Sequence, residues 1–260
     1  MKNDIIRLAE LIHQARDIVV FTGAGISTES GIADYRGQGG RWQRFRPVTI
    51  QEFQASEDKR KEYWREKLEL WEALKDARPN EGHKAIAALE KAGKLKGLIT
   101  QNIDGLHRLA GNSREKTIEI HGTCLETVCL SCGDIQPWQA VYKELKNGVE
   151  VPLCAKCAGL LKPNTISFGQ NLNQADLQKA FAWAGDCDLM LAVGSTLVVE
   201  PAASIPRAAK QSGAALGIIT LSETPLDSVA DVKITEPCGK TLSSVLAVLD
   251  SLGADPYSTK

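Results

Sequence analysis

A chain of 260 residues with 43% hydrophobic and 24% charged side chains is long enough for one large core and has the composition of a folded α/β enzyme. Its formal net charge of -1 offers no basic field, which argues against a nucleic-acid partner or attachment to anionic lipid. The N-terminal stretch MKNDIIRLAELIHQARD lacks the uncharged core of an export signal and no run is apolar enough to span a bilayer, so a cytoplasmic protein with no membrane partner is expected.

In chain order, apolar residues at helical spacing cover residues 3–15, and DIVVFTG follows as a buried parallel strand. It runs into GAGISTESGIADYRG, in which Gly23 and Gly25 stand where a phosphate-binding turn has its first two glycines. The third glycine is due at position 28, which is Thr28; a glycine comes only at Gly31, followed by Asp34, Tyr35 and Arg36. Residues 37–78 are polar and helix-rich, with Trp64, Leu68 and Trp71 on one face.

After a helix over 82–92, the strand KGLITQN leads into TQNIDGLHRLAG. Gln101, Asn102 and Asp104 there suit the reading of ribose hydroxyls and a carboxamide, or simply a turn in which Asp104 caps the next helix. The strand KTIEIHG places His121 before Gly122, a natural position for a general base, although a turn histidine with satisfied bonds is the plainer alternative. His107 is its rival, while His13 and His83 fall in helical patterns as surface or capping residues.

Residues 122–162 hold five of the seven cysteines. Cys129-x2-Cys132 and Cys154-x2-Cys157, separated by 21 residues, predict a closed four-thiolate zinc site of structural type. Cys124 reads as a small buried side chain, and Cys187 and Cys238 as free thiols. Beyond the insert, helices near 172–184, 201–212 and 239–252 alternate with the strands DLMLAVG, AALGIIT and DVKIT.

This alternation predicts an α/β fold, a Rossmann-like doubly wound parallel sheet with a smaller inserted domain that contains a zinc ribbon and a helical module. The expected division is 1–36, 79–121 and 163–260 for the nucleotide-binding domain, 37–78 for the helical part and 122–162 for the zinc-binding part of the small domain. GAGIS, QNID, HG and GST all follow strands directly, so four loops should converge on one edge of the sheet.

GAGISTESGIADYRG, TQNIDGLHRLAG, IHG, the two C-x-x-C pairs, ISFGQ, GSTLVVEPAASIP and ITLSETPLD occur in the order found in the sirtuin family, and the chain resembles its bacterial members over nearly its whole length. The resemblance implies an NAD-dependent protein-lysine deacylase with one structural zinc, acting on acyl-lysine-containing proteins. It implies an unusual use of the glycine loop, to break the nicotinamide–ribose bond rather than to transfer hydride. Gly23, Ala24, Gly25 and Thr28 would line phosphates and ribose, Tyr35 would shield the reacting ribose carbon, Arg36 would help hold the cofactor, and Asp34 would be a further cofactor-binding residue. Gln101 and Asn102 would orient ribose hydroxyls, Ile103 and Asp104 would receive the carboxamide, and His121 would be the base, with Asn102 beside it in catalysis. Gly194, Ser195, Thr196, Thr220, Leu221 and Cys238 would complete the cofactor site. Substrate would add as a strand between Ile166, Phe168 and Gly169 on one side and Leu197 on the other.

Thr220 stands where the family has Asn against the adenosine ribose, and Ser167 and Gln170 replace Trp and Glu beside the peptide channel. Sirtuins that read acidic acyl groups carry Tyr followed three residues later by Arg; here Glu66 follows Tyr63 at that spacing, which implies a neutral acyl group, with Lys67 as the alternative reader. The competing readings are an ADP-ribosyltransferase, and a non-catalytic NAD-sensing module.

Overall fold

The computed structural model describes residues 2–35 and 46–253. Six parallel strands form the main sheet: β1 (Ile18–Thr22), β2 (Leu95–Thr100), β3 (Thr117–Glu119), β7 (Leu189–Val193), β8 (Ala215–Ile219) and β9 (Val232–Ile234). Five lie within a predicted run, and β2 starts one residue before the run KGLITQN, at Leu95. β1 and β7 are buried at every position, as expected where helices cover both faces of a parallel sheet. The spatial order is β3-β2-β1-β7-β8-β9, so the winding reverses between β1 and β7, the crevice where open α/β sheets bind ligands.

Helix α1 (Lys2–Gln14) buries Leu8, Ala9 and Ile12 against this sheet. Its C-terminal carbonyls are capped from outside the helix, by Lys94 Nζ donating to Ile12 O, His13 O and Ala15 O at 3.1, 2.8 and 2.8 Å. Helix α4 (Glu81–Lys91) opens on Asn80, whose side chain accepts from Gly82 N while His83 Nδ1 accepts from Asn80 N. Helices α7 (Gln174–Gly185) and α8 (Ser204–Gln211) contribute to one core, and α9 (Cys238–Gly253) joins α1 and α4 in the other.

The small unit has an antiparallel sheet of β4 (Gly122–Cys129), β5 (Ile135–Pro137) and β6 (Leu161–Thr165), with helix α6 (Trp138–Lys146). This sheet continues to Thr165, three residues past the expected boundary at 162. Helices α2 (Ile50–Ala55) and α3 (Glu57–Leu74) belong with it through an aromatic cluster. The rings of Trp64 and Trp138 stack at 6.1 Å, and Trp71 lies 5.6 Å from Trp138. Trp64, Leu68 and Trp71 therefore do share one face, and it packs on the cysteine module.

Candidate active site

Gly23 N donates to Val193 O at 3.0 Å and Gly25 N to Gly194 O at 2.8 Å, so the turns after β1 and β7 touch backbone to backbone. A Cβ on Gly194, at φ +65°, would lie 2.2 Å from Ile26 N, and one on Gly25 would lie 2.8 Å from Gly194 Cα. Only glycines allow this approach. The late glycine is explained as well. Residues Ala24–Ser30 form a 3-10 helix rather than opening an α-helix, and Gly31 ends it in the left-handed region at φ +84°.

These turns border a cleft of about 600 Å3, a size suited to a nucleotide cofactor with part of a second substrate. Gly23, Ala24, Gly25, Thr28, Asp34, Tyr35, Gln101, Asn102, Ile103, His121, Gly194, Ser195, Thr196, Thr220, Leu221 and Cys238 all line it, as do Ile166, Phe168 and Gly169. Leu197 does not: it is 2% exposed and packs in the core under α8, while its neighbours Thr196 and Val199 face the cleft. Asp104 lies just behind the lining and Arg36 lies outside the described residues.

His121 sits two residues past the end of β3, not on the strand itself. Its Nδ1 is 3.1 Å from Gln101 O, and a carbonyl can only accept, so Nδ1 carries the proton in the neutral ring. Nε2 is thereby left as the basic nitrogen. Burial lowers the His121 pKa, with the Gln101 carbonyl pulling the other way, and the ring stays neutral and able to take a proton.

His107, the rival, is 2% exposed and does not reach the cleft; its Nε2 lies 3.0 Å from Thr22 Oγ1. His83 caps α4, as one of its two expected roles, but it is fully buried rather than on the surface. Because its Nδ1 accepts from Asn80 N, its Nε2–H points to Ser27 Oγ at 3.4 Å. Ser27 Oγ also accepts from Asn102 Nδ2 at 3.1 Å and donates to Asp104 Oδ2 at 2.7 Å. Asp104 Oδ1 accepts from Leu106 N at 2.9 Å, so the turn-capping reading and the site reading of this acid both hold. Burial pushes the Asp104 carboxyl up against these bonds. Ser27 and His83 were not singled out as site residues from sequence; the GAGIS block contained Ser27, but nothing local linked it to a helix 56 residues away.

The residues present fit a dinucleotide. Two glycine turns leave room for backbone N–H groups to approach phosphates, and Gln101 Nε2 bridges them by donating to Ser195 Oγ at 2.8 Å and to Thr22 O at 3.3 Å.

Away from the cleft, the Sγ atoms of Cys129, Cys132, Cys154 and Cys157 all lie within 4.8 Å of one another. Cys129 Sγ to Cys157 Sγ is 3.5 Å and Cys132 Sγ to Cys154 Sγ is 3.8 Å, far beyond the disulfide length of about 2 Å. Sulfurs about 2.3 Å from a tetrahedral ion stand about 3.8 Å apart, so the four thiols fit zinc. Cys187 and Cys238 are free thiols and Cys124 is buried, as expected.

A Rossmann-like sheet with a zinc-type insert and a histidine in the switch-point cleft defines a class of nucleotide-dependent enzymes. The Sir2 family model matches residues 23–201. The NAD-dependent protein deacetylase of Thermodesulfovibrio yellowstonii is 46% identical across 93% of this chain and 94% of its own length. The NAD-dependent protein deacylase 2 of Archaeoglobus fulgidus is 37% identical across 98% and 100%. A solved Sir2 complex with a p53 peptide and NAD+ superposes with a TM-score of 0.83 at 36% identity, over 95% of this chain and 98% of that one. The chain belongs to the Sir2 family of sirtuins.

Proposed function

We propose that this enzyme removes acyl groups from protein lysines at the expense of NAD: acyl-lysine, NAD and water become lysine, nicotinamide and O-acyl-ADP-ribose. Bound NAD supplies an anomeric carbon that parts from nicotinamide and ribose hydroxyls that take up the acyl group. The chain's own residues orient, shield and move a proton.

His121 Nε2 is the base that takes a proton from a ribose hydroxyl, because Gln101 O holds the proton of the other nitrogen. Asn102, its amide fixed by Ser27, orients ribose hydroxyls beside it, and Gln101 does so from the Ser195 side. Gly23, Ala24, Gly25, Thr28, Gly194, Ser195 and Thr196 cradle the phosphates, while Ile103 and Asp104 receive the carboxamide. Asp34 and Tyr35 cover the reacting ribose and exclude water. Thr220, Leu221 and Cys238 lie at the adenosine end. The acyl-lysine segment adds as a strand along Ile166, Phe168 and Gly169, with main-chain bonds near Leu197 opposite. In the same reading the cleft lies between a nucleotide-binding domain and the small domain expected over 37–78 and 122–162, of which 37–45 lie outside the described residues.

The observation that carries this reading is a partly buried histidine, its tautomer set by Gln101 O, lining a cleft built on two touching glycine turns. The test is His121→Ala, with nicotinamide release and peptide deacylation followed together. Loss of both by about a hundredfold or more, with metal content unchanged, is expected. Full activity in that variant, with loss in His107→Ala instead, overturns the assignment.

A further inference from the structure

Helix α5 (Leu106–Ala110) follows the loop that carries Gln101 and Asn102, and it buries His107 outside the cleft, 2% exposed. Burial first and the neighbouring His83 second hold the His107 pKa well below the ordinary histidine value, so the ring is neutral. Its Nδ1, on the side of Asn112, completes no hydrogen bond. A phenyl ring would fill the same space without leaving a buried nitrogen unpaired. What the imidazole adds is the contact of its Nε2 with Thr22 Oγ1 at 3.0 Å.

Thr22 ends β1, Thr100 ends β2, and the two are register partners in the sheet. Thr22 Oγ1 donates to Thr100 Oγ1 at 2.8 Å, which spends its single proton, so His107 Nε2 is the donor to Thr22. Thr100 Oγ1 accepts in turn from Asn102 N at 3.1 Å. The Thr22 carbonyl accepts from Gln101 N at 2.9 Å and from Gln101 Nε2 at 3.3 Å. Gln101 and Asn102 therefore both rest on this threonine pair, and His107 fixes the pair from the side away from the cleft. The same support reaches His121, whose Nδ1 is held by Gln101 O.

A second buried histidine serves Asn102 by another route. His83 Nε2 lies 3.4 Å from Ser27 Oγ, and Asn102 Nδ2 donates to that oxygen at 3.1 Å. The rings of His83 and His107 lie against each other, with centroids 4.8 Å apart and planes inclined at 57°. One ring stands behind the side-chain amide of Asn102 and the other behind its backbone N–H, so the residue is held at both points.

We propose that His107 is a positioning residue for NAD cleavage. Through the Thr22–Thr100 hydroxyl pair it sets where Gln101 and Asn102 present their amides to the ribose, while touching neither substrate. This rests on the deacylase reading. Orientation of a bound cofactor acts on the chemical step rather than on affinity, so loss of the link appears in kcat.

The test follows nicotinamide release from NAD in the presence of an acetyl-lysine peptide, and NAD affinity by calorimetry, in His107→Phe, Thr22→Val and the double variant. Each single substitution should lower kcat by about tenfold while the Kd for NAD stays within about twofold of the native value. The double variant should lose no more than the larger single loss, because both changes cut the same link. His107→Gln, which retains a side-chain N–H, should recover part of the rate lost in His107→Phe. Native kcat in His107→Phe or in Thr22→Val overturns the proposal. So do single losses that multiply in the double variant, losses matched by weaker NAD binding, or a His107→Gln rate no higher than that of His107→Phe. Should the phenylalanine variant fail to fold, Thr22→Val against the native protein decides alone. Absence of nicotinamide release by the native protein would instead overturn the deacylase reading.

Discussion

His83, His107 and His121 lie beneath or beside the cleft, and burial holds each below the ordinary imidazole range, His83 at about 4. All three bind protons in the unfolded chain near pH 6.5 that the folded chain refuses until lower pH. Stability is therefore full above pH 6.5 and is lost as pH falls from there toward about 4. His83 alone accounts for a loss on the order of 3 kcal/mol. Urea midpoints measured from pH 7.5 to 4 should fall through this window, and His83→Asn should flatten the slope; a midpoint constant down to pH 4.5 contradicts the burial argument. The same sign applies to catalysis. His121 must be neutral to accept a proton, so kcat/KM should fall on the acid side with an apparent pKa below 6.5. His121 was visible in the sequence as a candidate because it precedes a glycine at a strand end, although a turn histidine was the plainer reading of that pair. His83 was not, since its helical spacing reveals which face it occupies but not that Ser27 lies across from that face. The Leu197 side chain does not line the cleft, for a related reason. Its neighbours do line the cleft, but its own side chain turns under α8, and the turn that puts it there has no sequence signature.

The inner strands β1, β7 and β8 were readable as apolar runs because both faces of the sheet are covered there, while the edge strands β3 and β9 carry Glu119 and Lys233 and were readable from their place in the alternation. The 3-10 helix after β1 was not, because nothing in AGISTES separates it from the first turn of an α-helix; only the contact with Gly194 shows why the chain stays tightly wound. That contact carries a prediction. Gly194→Ala places a Cβ 2.2 Å from Ile26 N at a positive φ, so the turn must move, and Tm and NAD affinity should drop together. Calorimetry that finds native NAD binding in this variant would show that the turn tolerates a side chain.

The cysteine spacing made the zinc module legible, but its aromatic partner α3 was joined to it only by the fold. Because Trp64, Trp71 and Trp138 pack between α3 and the thiol cluster, metal loss should be visible in tryptophan near-ultraviolet dichroism. One zinc per chain is expected by atomic absorption. Chelation or Cys129→Ser should abolish that signal while the helical dichroism of the larger unit persists; an unchanged aromatic signal after complete metal removal contradicts a structural role.

At the scale of the whole molecule, the cleft is held from two sides. The main sheet supplies the touching glycine turns and His121, and the helical module reaches across to the Phe168–Gly169 segment. Ile50 N donates to Phe168 O at 3.0 Å and Gln51 Nε2 to Gly169 O at 3.1 Å, so two hydrogen bonds tie this segment to the helical module. Among the described residues no helix is long and apolar enough to cross a membrane. The convergence of four loops on one sheet edge was legible because each follows a strand of the same parallel sheet. The central claim is coupled chemistry, in which NAD cleavage and acyl removal are one event on one base. The most direct measurement is the stoichiometry, by mass spectrometry, of NAD consumed, peptide deacylated and O-acyl-ADP-ribose formed in a single reaction. The account predicts equal amounts of all three, with all three lost together in His121→Ala; NAD consumed while the peptide keeps its acyl group, or gains ADP-ribose, would contradict it.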